Sequence, residues 1–386
     1  MTAPPLQLQG EPVVLRVWAC FKPRKATQPR SPFQRWRLTY YGCCSYSSPT
    51  AATNSSAADP IAVVMWIGTK LPLMNTKRFK LTGREFYYVD SNMNTEMTDW
   101  SKSPLNISDP NGPVGSTVGQ IFSRKNDHSV FYLVFNDQMP NGTTSSYRGH
   151  TKGVMLFDEN QGFLMMHSVP KFVDLDKPDF EYPYTGITNG QSFICITFNT
   201  TALKDIGTHL LYITPAIVKA QLPTSFGLKF LDLQKVIAGR PLGKGANTTF
   251  FRQIPSLAGR KFVFFGKHKK FNKDLYADLV AAKLQGNIYT QTWLKGNGDL
   301  KPSCAKDRQV YNIRELTFPS ATFNSSKDHS KWVVTDTQKG KNASVVCVAD
   351  INRQKSQFDR AGGAICLQHK GLWRLYRNLV GLSEKC

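Results

Sequence analysis

The chain has 386 residues, and 49 Lys and Arg against 27 Asp and Glu give it a formal net charge of +22. With 41% hydrophobic and 12% aromatic residues it can bury a sizeable core, which excludes a disordered basic tail. No stretch approaches the roughly 18 uninterrupted apolar residues of a membrane helix, so we expect no membrane span.

The predicted elements are mostly strands. Residues 1–37 are rich in Pro, Gln and Arg and should form an irregular basic extension. Two apolar runs around a short polar loop predict a hairpin over residues 153–167. β-branched and aromatic runs predict further strands at residues 61–73, 85–90, 129–136 and 191–198.

Three segments have helical signals. Residues 199–206 begin with Asn and Thr and are followed by Gly207, which predicts a short helix that ends at this glycine. Residues 274–284 and 372–382 place their leucines on or near one face. Strands mixed with helices indicate an α/β protein, and the length predicts two domains or one large domain built from two halves.

The positive charge predicts a polyanionic partner. A net charge of +22 raises the local concentration of nucleic acids and anionic membranes. The alternative is a generic basic surface, as many secreted proteins have.

Eight cysteines suggest an oxidising compartment. The N-terminus does not match a secretory signal, because Arg16 interrupts its one apolar run and the basic run at residues 22–30 follows it. Either the true signal is missing from this gene model or the chain is exported differently. A secretory glycoprotein is nevertheless expected, because the chain carries seven Asn-x-Ser/Thr sites, at Asn54, Asn106, Asn141, Asn199, Asn247, Asn324 and Asn342.

Two His-x-Lys triplets carry the predicted chemistry. His150-Thr151-Lys152 and His329-Ser330-Lys331 lie 179 residues apart (329 minus 150), and apolar strand-like residues follow each. On a strand, the His and Lys of a triplet share one face. Two triplets meeting at a pseudo-twofold axis would surround one phosphate with two imidazoles and two ammonium groups. One imidazole could then attack phosphorus while the other protonates the leaving oxygen, without a metal.

A third triplet, His268-Lys269-Lys270, lies in the basic run 261–273 and is interpreted as a solvated or DNA-facing surface. Spacing alone is weak, since roughly half a match is expected by chance. We predict four DNA contacts, namely Arg148, Lys267, Lys269 and Lys270.

The longer motifs resemble those of the deoxyribonuclease II family from about residue 38 to the C-terminus. The similarity rests on these strings: Tyr147-Arg148-Gly149-His150-Thr151-Lys152-Gly153-Val154, Met166-His167-Ser168-Val169-Pro170-Lys171-Phe172, Asp328-His329-Ser330-Lys331-Trp332, Asp350-Ile351-Asn352-Arg353, Arg360-Ala361-Gly362-Gly363, Asn136-Asp137-Gln138 and Asp274-Leu275-Tyr276.

This resemblance implies a phospholipase D-like fold in which two α/β halves form a pseudo-dimer around one active site. The halves would span residues 38–215 and 216–386, and the protein would be a monomeric pseudo-dimer or a homodimer. The implied activity is that of an acid, metal-independent endonuclease that leaves 3′-phosphate ends on DNA. The implied location is lysosomal or secreted, and no cofactor is implied.

The resemblance also implies roles for single residues. His150 is assigned as nucleophile and His329 as general acid, with Lys152 and Lys331 holding the phosphate. His167 and Asn352 would be supporting polar groups, although His167 could instead be a core histidine satisfied by hydrogen bonds.

The family pattern suggests disulfides between Cys304 and Cys386 and between Cys347 and Cys366. Cys195 would pair with Cys43 or Cys44, and the other of these would be left over with Cys20.

Two other classes of function remain open. A phospholipase D-like lipid phosphodiesterase would need an apolar mouth beside the histidines. A catalytically silent DNA-binding or toxin-like relative would not need all four His and Lys residues, yet all four are present.

Overall fold

The structure is a computed structural model that describes residues 43, 65–91, 99–337 and 342–386. The predicted extension at residues 1–37, Cys20, Cys44, Asn54 and the first residues of the predicted strand 61–73 lie outside the described residues.

Twenty-one strands are described. In chain order they are β1 (Met65–Lys70), β2 (Leu73–Asn75), β3 (Lys80–Thr82), β4 (Phe86–Asp90), β5 (Ser101–Lys102), β6 (Phe131–Asn136), β7 (Lys152–Phe157), β8 (Gln161–His167), β9 (Gln191–Asn199), β10 (Ile217–Gln221), β11 (Thr249–Pro255), β12 (Lys261–Lys267), β13 (Ile288–Gln291), β14 (Ser303–Ala305), β15 (Arg308–Ile313), β16 (Glu315–Phe318), β17 (Ala321–Asn324), β18 (Trp332–Thr335), β19 (Val345–Ala349), β20 (Gly362–Gln368) and β21 (Ser383–Glu384).

Helices are fewer and mostly short. They are α1 (Pro113–Arg124), α2 (Leu203–Ile213), α3 (Thr224–Lys229), α4 (Leu231–Ile237), α5 (Ala282–Leu284) and α6 (Lys370–Asn378), with a π-helical turn at Tyr276–Ala281 that leads into α5. The predicted mixed α/β class is therefore confirmed. No described helix is long and apolar enough to cross a membrane.

Two large sheets contain most of the strands. The first sheet has the order β10-β6-β7-β8-β9-β1-β4-β5, and all of its pairings are antiparallel. The second sheet runs β11-β12-β20-β19-β18-β13-β15-β14, with β21 beside β15, and only β13 and β15 pair in parallel. The first sheet includes β10 and so extends to Gln221, beyond the expected boundary at residue 215.

Five strands of each sheet follow one plan. The first sheet places β1, β9, β8, β7 and β6 side by side, and the second places β12, β20, β19, β18 and β13 in the same spatial sequence. In both sheets the outer two of these strands precede the central three in the chain. Consequently β7 and β18 occupy matching positions in the two sheets. A His-x-Lys triplet stands at the start of each of these strands.

The two sheets face each other across one shared core. Because strand side chains alternate between faces, Leu133 of β6 and Trp332 of β18 point into this core, where Leu210 of α2 also packs. Val134 of β6 points the other way, into a cluster that α1 covers. Val333 of β18 points into a third cluster, which contains residues of the 276–284 helical segment. The contact between the two sheets is therefore a continuous packed core.

Three disulfides confirm the expected pairings. They join Cys43 to Cys195, Cys304 to Cys386 and Cys347 to Cys366. The choice between Cys43 and Cys44 as partner of Cys195 is thus settled for Cys43. Of the predicted glycosylation sites, Asn106, Asn141, Asn199, Asn247 and Asn324 are exposed and Asn342 is half-buried.

The predicted hairpin at 153–167 is confirmed as β7 and β8, and the helices expected at 274–284 and 372–382 are present with shifted ends. The predicted end of the 199–206 helix is wrong, because the helix continues through Gly207 to Ile213. A Cβ on Gly207 would lie 3.3 Å from Cγ of Leu233. This glycine therefore allows α4 to approach α2 closely and does not end the helix.

Candidate active site

The two His-x-Lys triplets lie where the chain enters matching central strands. Lys152 is the first residue of β7, and Lys331 directly precedes β18. All four His and Lys side chains are buried, with exposed fractions of 9% for His150 and 5% for His329.

Each histidine ring is held by the opposite half of the chain. Nδ1 of His150 lies 2.5 Å from the backbone oxygen of Asp350, and Nδ1 of His329 lies 2.8 Å from that of Ser168. A carbonyl oxygen can only accept a hydrogen bond, so Nδ1 carries the proton in both rings. The lone pair of each neutral imidazole is therefore on Nε2, the atom that would have to attack or protonate a substrate.

The backbone N–H of each histidine also forms a hydrogen bond to the opposite half. The N–H of His150 donates to the oxygen of Ala361, and the N–H of His329 donates to the oxygen of Gly190, each at 2.9 Å. Because ring and backbone are both fixed, the two imidazoles are held rigidly before any substrate binds.

The charges beside the two rings differ. Lys152 forms a buried ion pair with Asp137, whose other oxygen accepts from Arg360 at 3.1 Å. No carboxylate among the described residues pairs with Lys331 in this way: its Nζ lies 2.8 Å from the backbone oxygen and 3.2 Å from Nε2 of His329, two residues earlier. The two halves therefore offer similar geometry with unequal electrostatics.

Burial lowers the pKa of His150 to about 3, although the carboxylate of Asp137 partly opposes this shift. Burial also lowers the pKa of His329 well below its usual value, and the neighbouring Lys331 and Lys152 lower it further. In the site without a substrate, both rings are thus neutral, and an anion between them would favour their protonation.

Asp350 contributes more than its carbonyl. Its side-chain oxygen accepts the N–H of Gly363 at 2.7 Å, which ties the residue to the start of β20. Burial raises the pKa of its carboxyl to about 7. Asp350 is therefore a buried carboxyl group that titrates near neutrality beside His150.

The structure places His167 and Asn352, the predicted supporting residues, in the interior. Nδ1 of His167 accepts the N–H of Val169 at 3.2 Å, and its ring packs edge-on against Phe172. This bond fixes the turn that contains Ser168, the residue that holds His329. Asn352 is buried, and its Oδ1 has no hydrogen-bond partner among the residues that the structure describes.

The prediction that Lys267 faces DNA is corrected. Its side chain is fully buried, and Nζ donates to the backbone oxygens of Lys273, Gln357 and Phe358 at 2.7 to 3.1 Å. Burial lowers the pKa of Lys267 to about 8. The ammonium group is thus occupied by carbonyls inside the second half and cannot meet a phosphate.

The other three predicted contacts lie nearer the surface. Lys270 is exposed, and Arg148 and Lys269 are half-buried. Nζ of Lys269 lies 3.7 Å from the ring centre of Tyr147, a side chain that is 73% exposed. This cation–π contact joins the second half to the segment that leads into His150.

Sequence reasoning missed two groups beside His329. The ring of Trp293 meets that of His329 edge-on, with centroids 4.5 Å apart, at a backbone φ of 55° that a bulky residue rarely adopts. Oε1 of Gln191 accepts from the Ser168 hydroxyl at 2.6 Å. Neither residue stands in a motif with a recognisable spacing, so no sequence signal marked them.

No group of three or more His, Cys, Asp or Glu side chains among the described residues could hold a metal ion.

Comparison with known proteins gives this site its context. Residues 59–386 match the family model described as Deoxyribonuclease II. Cell-death-related nuclease 7 of Caenorhabditis elegans is 37% identical over 309 residues, which cover 79% of this chain and 81% of the relative. Deoxyribonuclease-2-beta of Homo sapiens is 31% identical over 341 residues, or 87% of this chain and 92% of the relative. Deoxyribonuclease-2-alpha of Rattus norvegicus is 33% identical over 312 residues, or 79% and 86%.

A site with two fixed imidazoles and two buried lysines, in a chain with these relatives, defines a nuclease, that is, a hydrolase. More particularly, the chain belongs to the deoxyribonuclease II family.

Proposed function

We propose that this protein is an acid, metal-independent endonuclease that hydrolyses DNA to 3′-phosphate ends through a phosphohistidine intermediate. The observation that carries the proposal is the reciprocal hold on the two rings, by the backbone oxygens of Asp350 and Ser168. It holds both rings through Nδ1 and leaves the lone pairs on Nε2, where that of His329 faces Nζ of Lys331 at 3.2 Å and would have to exchange this contact for the phosphate.

In the first step, Nε2 of one histidine forms a bond to phosphorus as the bond from phosphorus to the 5′-oxygen breaks. The other histidine, protonated at Nε2, gives its proton to that oxygen. In the second step this now neutral histidine takes a proton from water, whose oxygen attacks phosphorus. The phosphorus–nitrogen bond breaks and the 3′-phosphate leaves. Lys152 and Lys331 would stabilise the charge on the phosphoryl oxygens.

The charges favour one division of roles. The carboxylate of Asp137 favours a protonated His150 against the opposing charges of Lys152 and Lys331, whereas both lysines disfavour a protonated His329. We therefore propose His329 as nucleophile and His150 as general acid, the reverse of the assignment made from the sequence.

The expected preference for acid pH follows from the burial of His150. His150 must be protonated to act, yet its pKa in the substrate-free site is only about 3. The negative charge of a bound phosphate raises this pKa, and a low pH supplies the proton. We expect activity to fall as the pH rises through neutrality.

DNA would reach the site along the Tyr147–Lys269 contact. Arg148, Lys269 and Lys270 supply positive charge there, and the exposed ring of Tyr147 offers a stacking surface for a base. Such contacts attract phosphates without reading sequence, so base preference should be slight.

The shared plan of five strands in each sheet supports a phospholipase D-like pseudo-dimer, in which one chain provides the whole site. A monomer would then suffice, although a homodimer of such chains is compatible with it. Three disulfides and five exposed glycosylation sites support a lysosomal or secreted protein.

The first experiment incubates supercoiled plasmid with the protein in EDTA at about pH 5 and about pH 7.5, on either side of the free imidazole pKa. His150→Ala and His329→Ala test the site, and His128→Ala is the matched control because His128 is exposed. We expect acid-favoured cleavage with 3′-phosphate ends, a loss of at least about 10³-fold in both site variants, and no change in the control. Folded wild-type protein that does not cut at either pH would overturn the proposal.

A further inference from the structure

Lys70 is a buried lysine that the proposed reaction does not use. It is the last residue of β1, and its exposed fraction is 0%. Its Nζ donates to the backbone oxygens of Ile187 and Asn189 at 2.8 and 2.5 Å. A lysine is rarely buried unless its ammonium group is paired, so its position needs a structural reason.

The segment that Lys70 holds, residues 187–190, leads directly to the site. Gly190 donates its N–H to the oxygen of Lys327 at 2.8 Å and accepts the N–H of His329 at 2.9 Å. A Cβ on Gly190 would lie 2.3 Å from a carboxylate oxygen of Asp328, so the two segments are in close contact. A shift of residues 187–190 would therefore move the backbone of His329.

We propose that Lys70 is a positioning residue for His329, because its ammonium group fixes residues 187–190 and thereby the carbonyl of Gly190 that receives the His329 backbone. The inference rests on the proposed function, since it concerns the efficiency of that reaction.

The charges around Lys70 make this hold dependent on pH. Burial lowers the pKa of Lys70 to about 7, the facing carboxylates of Asp328 and Glu85 oppose this shift, and Arg84 adds to it. The group is thus protonated in acid and loses its proton as the pH rises through about 7. The neutral amine has one hydrogen fewer and a lone pair, so it holds two carbonyl oxygens less strongly.

The test compares Lys70→Met with Lys80→Met, a matched control on an exposed lysine of β3. Rates are measured per folded molecule in EDTA from pH 4 to 8.5. We expect kcat of Lys70→Met to fall about ten- to a hundredfold at acid pH, with KM little changed, because a displaced histidine impairs the reaction without touching DNA. The ratio of wild-type to variant kcat should shrink above pH 7, where wild-type Lys70 is itself neutral.

Glu85→Gln is the second variant, in case Lys70→Met does not fold. It leaves the contacts of Lys70 in place and removes a carboxylate that favours its protonated form. The alkaline limb of the wild-type pH profile should therefore move to lower pH in this variant.

A folded Lys70→Met with wild-type kcat and an unchanged pH profile would overturn the inference, and so would a Glu85→Gln profile that superimposes on that of the wild type. A loss of thermal stability with unchanged kcat would also overturn it, because Lys70 would then be only structural. Inactive wild-type protein would instead contradict the proposed function.

Discussion

The two site histidines have matching geometry but different neighbours. Lys152 is neutralised by Asp137, while Lys331 lies 3.2 Å from Nε2 of His329. Burial lowers the pKa of Lys331 well below its usual value, but any positive charge that it keeps so close to the ring disfavours a second one on the imidazole. His329, whose lysine has no carboxylate partner in the described part of the chain, is therefore suited to attack as a neutral base, and His150 is suited to donate a proton.

This difference can be tested with a substrate that needs no general acid, thymidine 3′-(p-nitrophenyl phosphate), whose leaving group departs as an anion. We expect His150→Ala to release p-nitrophenolate and to accumulate an acid-labile phosphoprotein. His329→Ala should release none, because it lacks the nucleophile. The opposite pattern would support the assignment made from the sequence, with His150 as nucleophile.

At this scale the sequence locates the reactive side chains but not their partners. The His-x-Lys spacing and its surrounding motifs single out His150 and His329. Their Nδ1 atoms are held by backbone oxygens, which every residue has and which leave no mark in a sequence. Lys267 was misplaced for the same reason, since the carbonyls that bury it come from distant residues such as Gln357 and Phe358.

At the scale of elements, the entry into β7 depends on a single glycine. Gly149 donates its N–H to the oxygen of Thr214 at 2.9 Å. A Cβ on Gly149 would lie 1.9 Å from the backbone oxygen of Ile213 and 3.1 Å from that of Ala361. Backbone atoms cannot rotate away as a side chain could, so a methyl group here must displace the strand that carries His150 and Lys152.

We therefore expect Gly149→Ala to lower kcat about a hundredfold or more, because small displacements of a reacting group are costly. The matched control is Gly119→Ala in α1, where a Cβ would meet nothing within 4 Å. That change should leave activity intact and stabilise the fold by roughly 0.5–1 kcal/mol, measured by urea unfolding. Equal activities of the two variants would contradict this account of β7.

The elements themselves could be predicted where their pattern is local. The hairpin of β7 and β8 has two apolar runs and a polar loop, so it was predicted correctly. The end of α2 was not, because Gly207 serves a contact with Leu233 that lies far along the chain. The pairing of β10 with β6 in the first sheet is likewise a long-range contact.

At the scale of the whole molecule, burial of neutral histidines makes folding stability depend on pH. Burial lowers the pKa of His150 and His167 to about 3 and that of His209 to about 4, and lowers that of His329 as well. Between their ordinary pKa of about 6.5 and these lowered values, the unfolded chain binds protons that the folded chain does not. Stability therefore falls as the pH falls through this window, by up to about 1.4 kcal/mol per histidine per pH unit.

Asp350 acts in the opposite direction, because its pKa is raised to about 7 and its carboxyl takes up a proton in the folded state. Burial also raises the pKa of Asp328 and of Asp158, and these three carboxyl groups together offset part of the contribution of the four histidines. We expect the thermal midpoint to be several degrees lower at pH 4.5 than at pH 7.5, as measured by differential scanning calorimetry without DNA. A midpoint that is equal or higher at pH 4.5 would show that protonation of the buried rings does not destabilise the folded state.

Residue patterns alone predict the architecture only as a class, and the arrangement in two halves was expected from the family resemblance. Mixed strand and helix signals indicate an α/β protein, and the two triplets suggest a duplication. The five-strand plan common to both sheets is visible only once β1 and β12 are placed beside β9 and β20, because chain order alone does not specify neighbours.

The reciprocal hold on the two rings also determines the stage of synthesis at which the site can form. His150 is synthesised 200 residues before Asp350, whose carbonyl orients its ring, and also before Ala361, whose carbonyl holds its backbone. A nascent or truncated chain therefore carries an imidazole with no fixed tautomer and no facing partner. We therefore expect a chain that is shortened before Asp350 to lack both the carbonyl that orients His150 and the proposed activity.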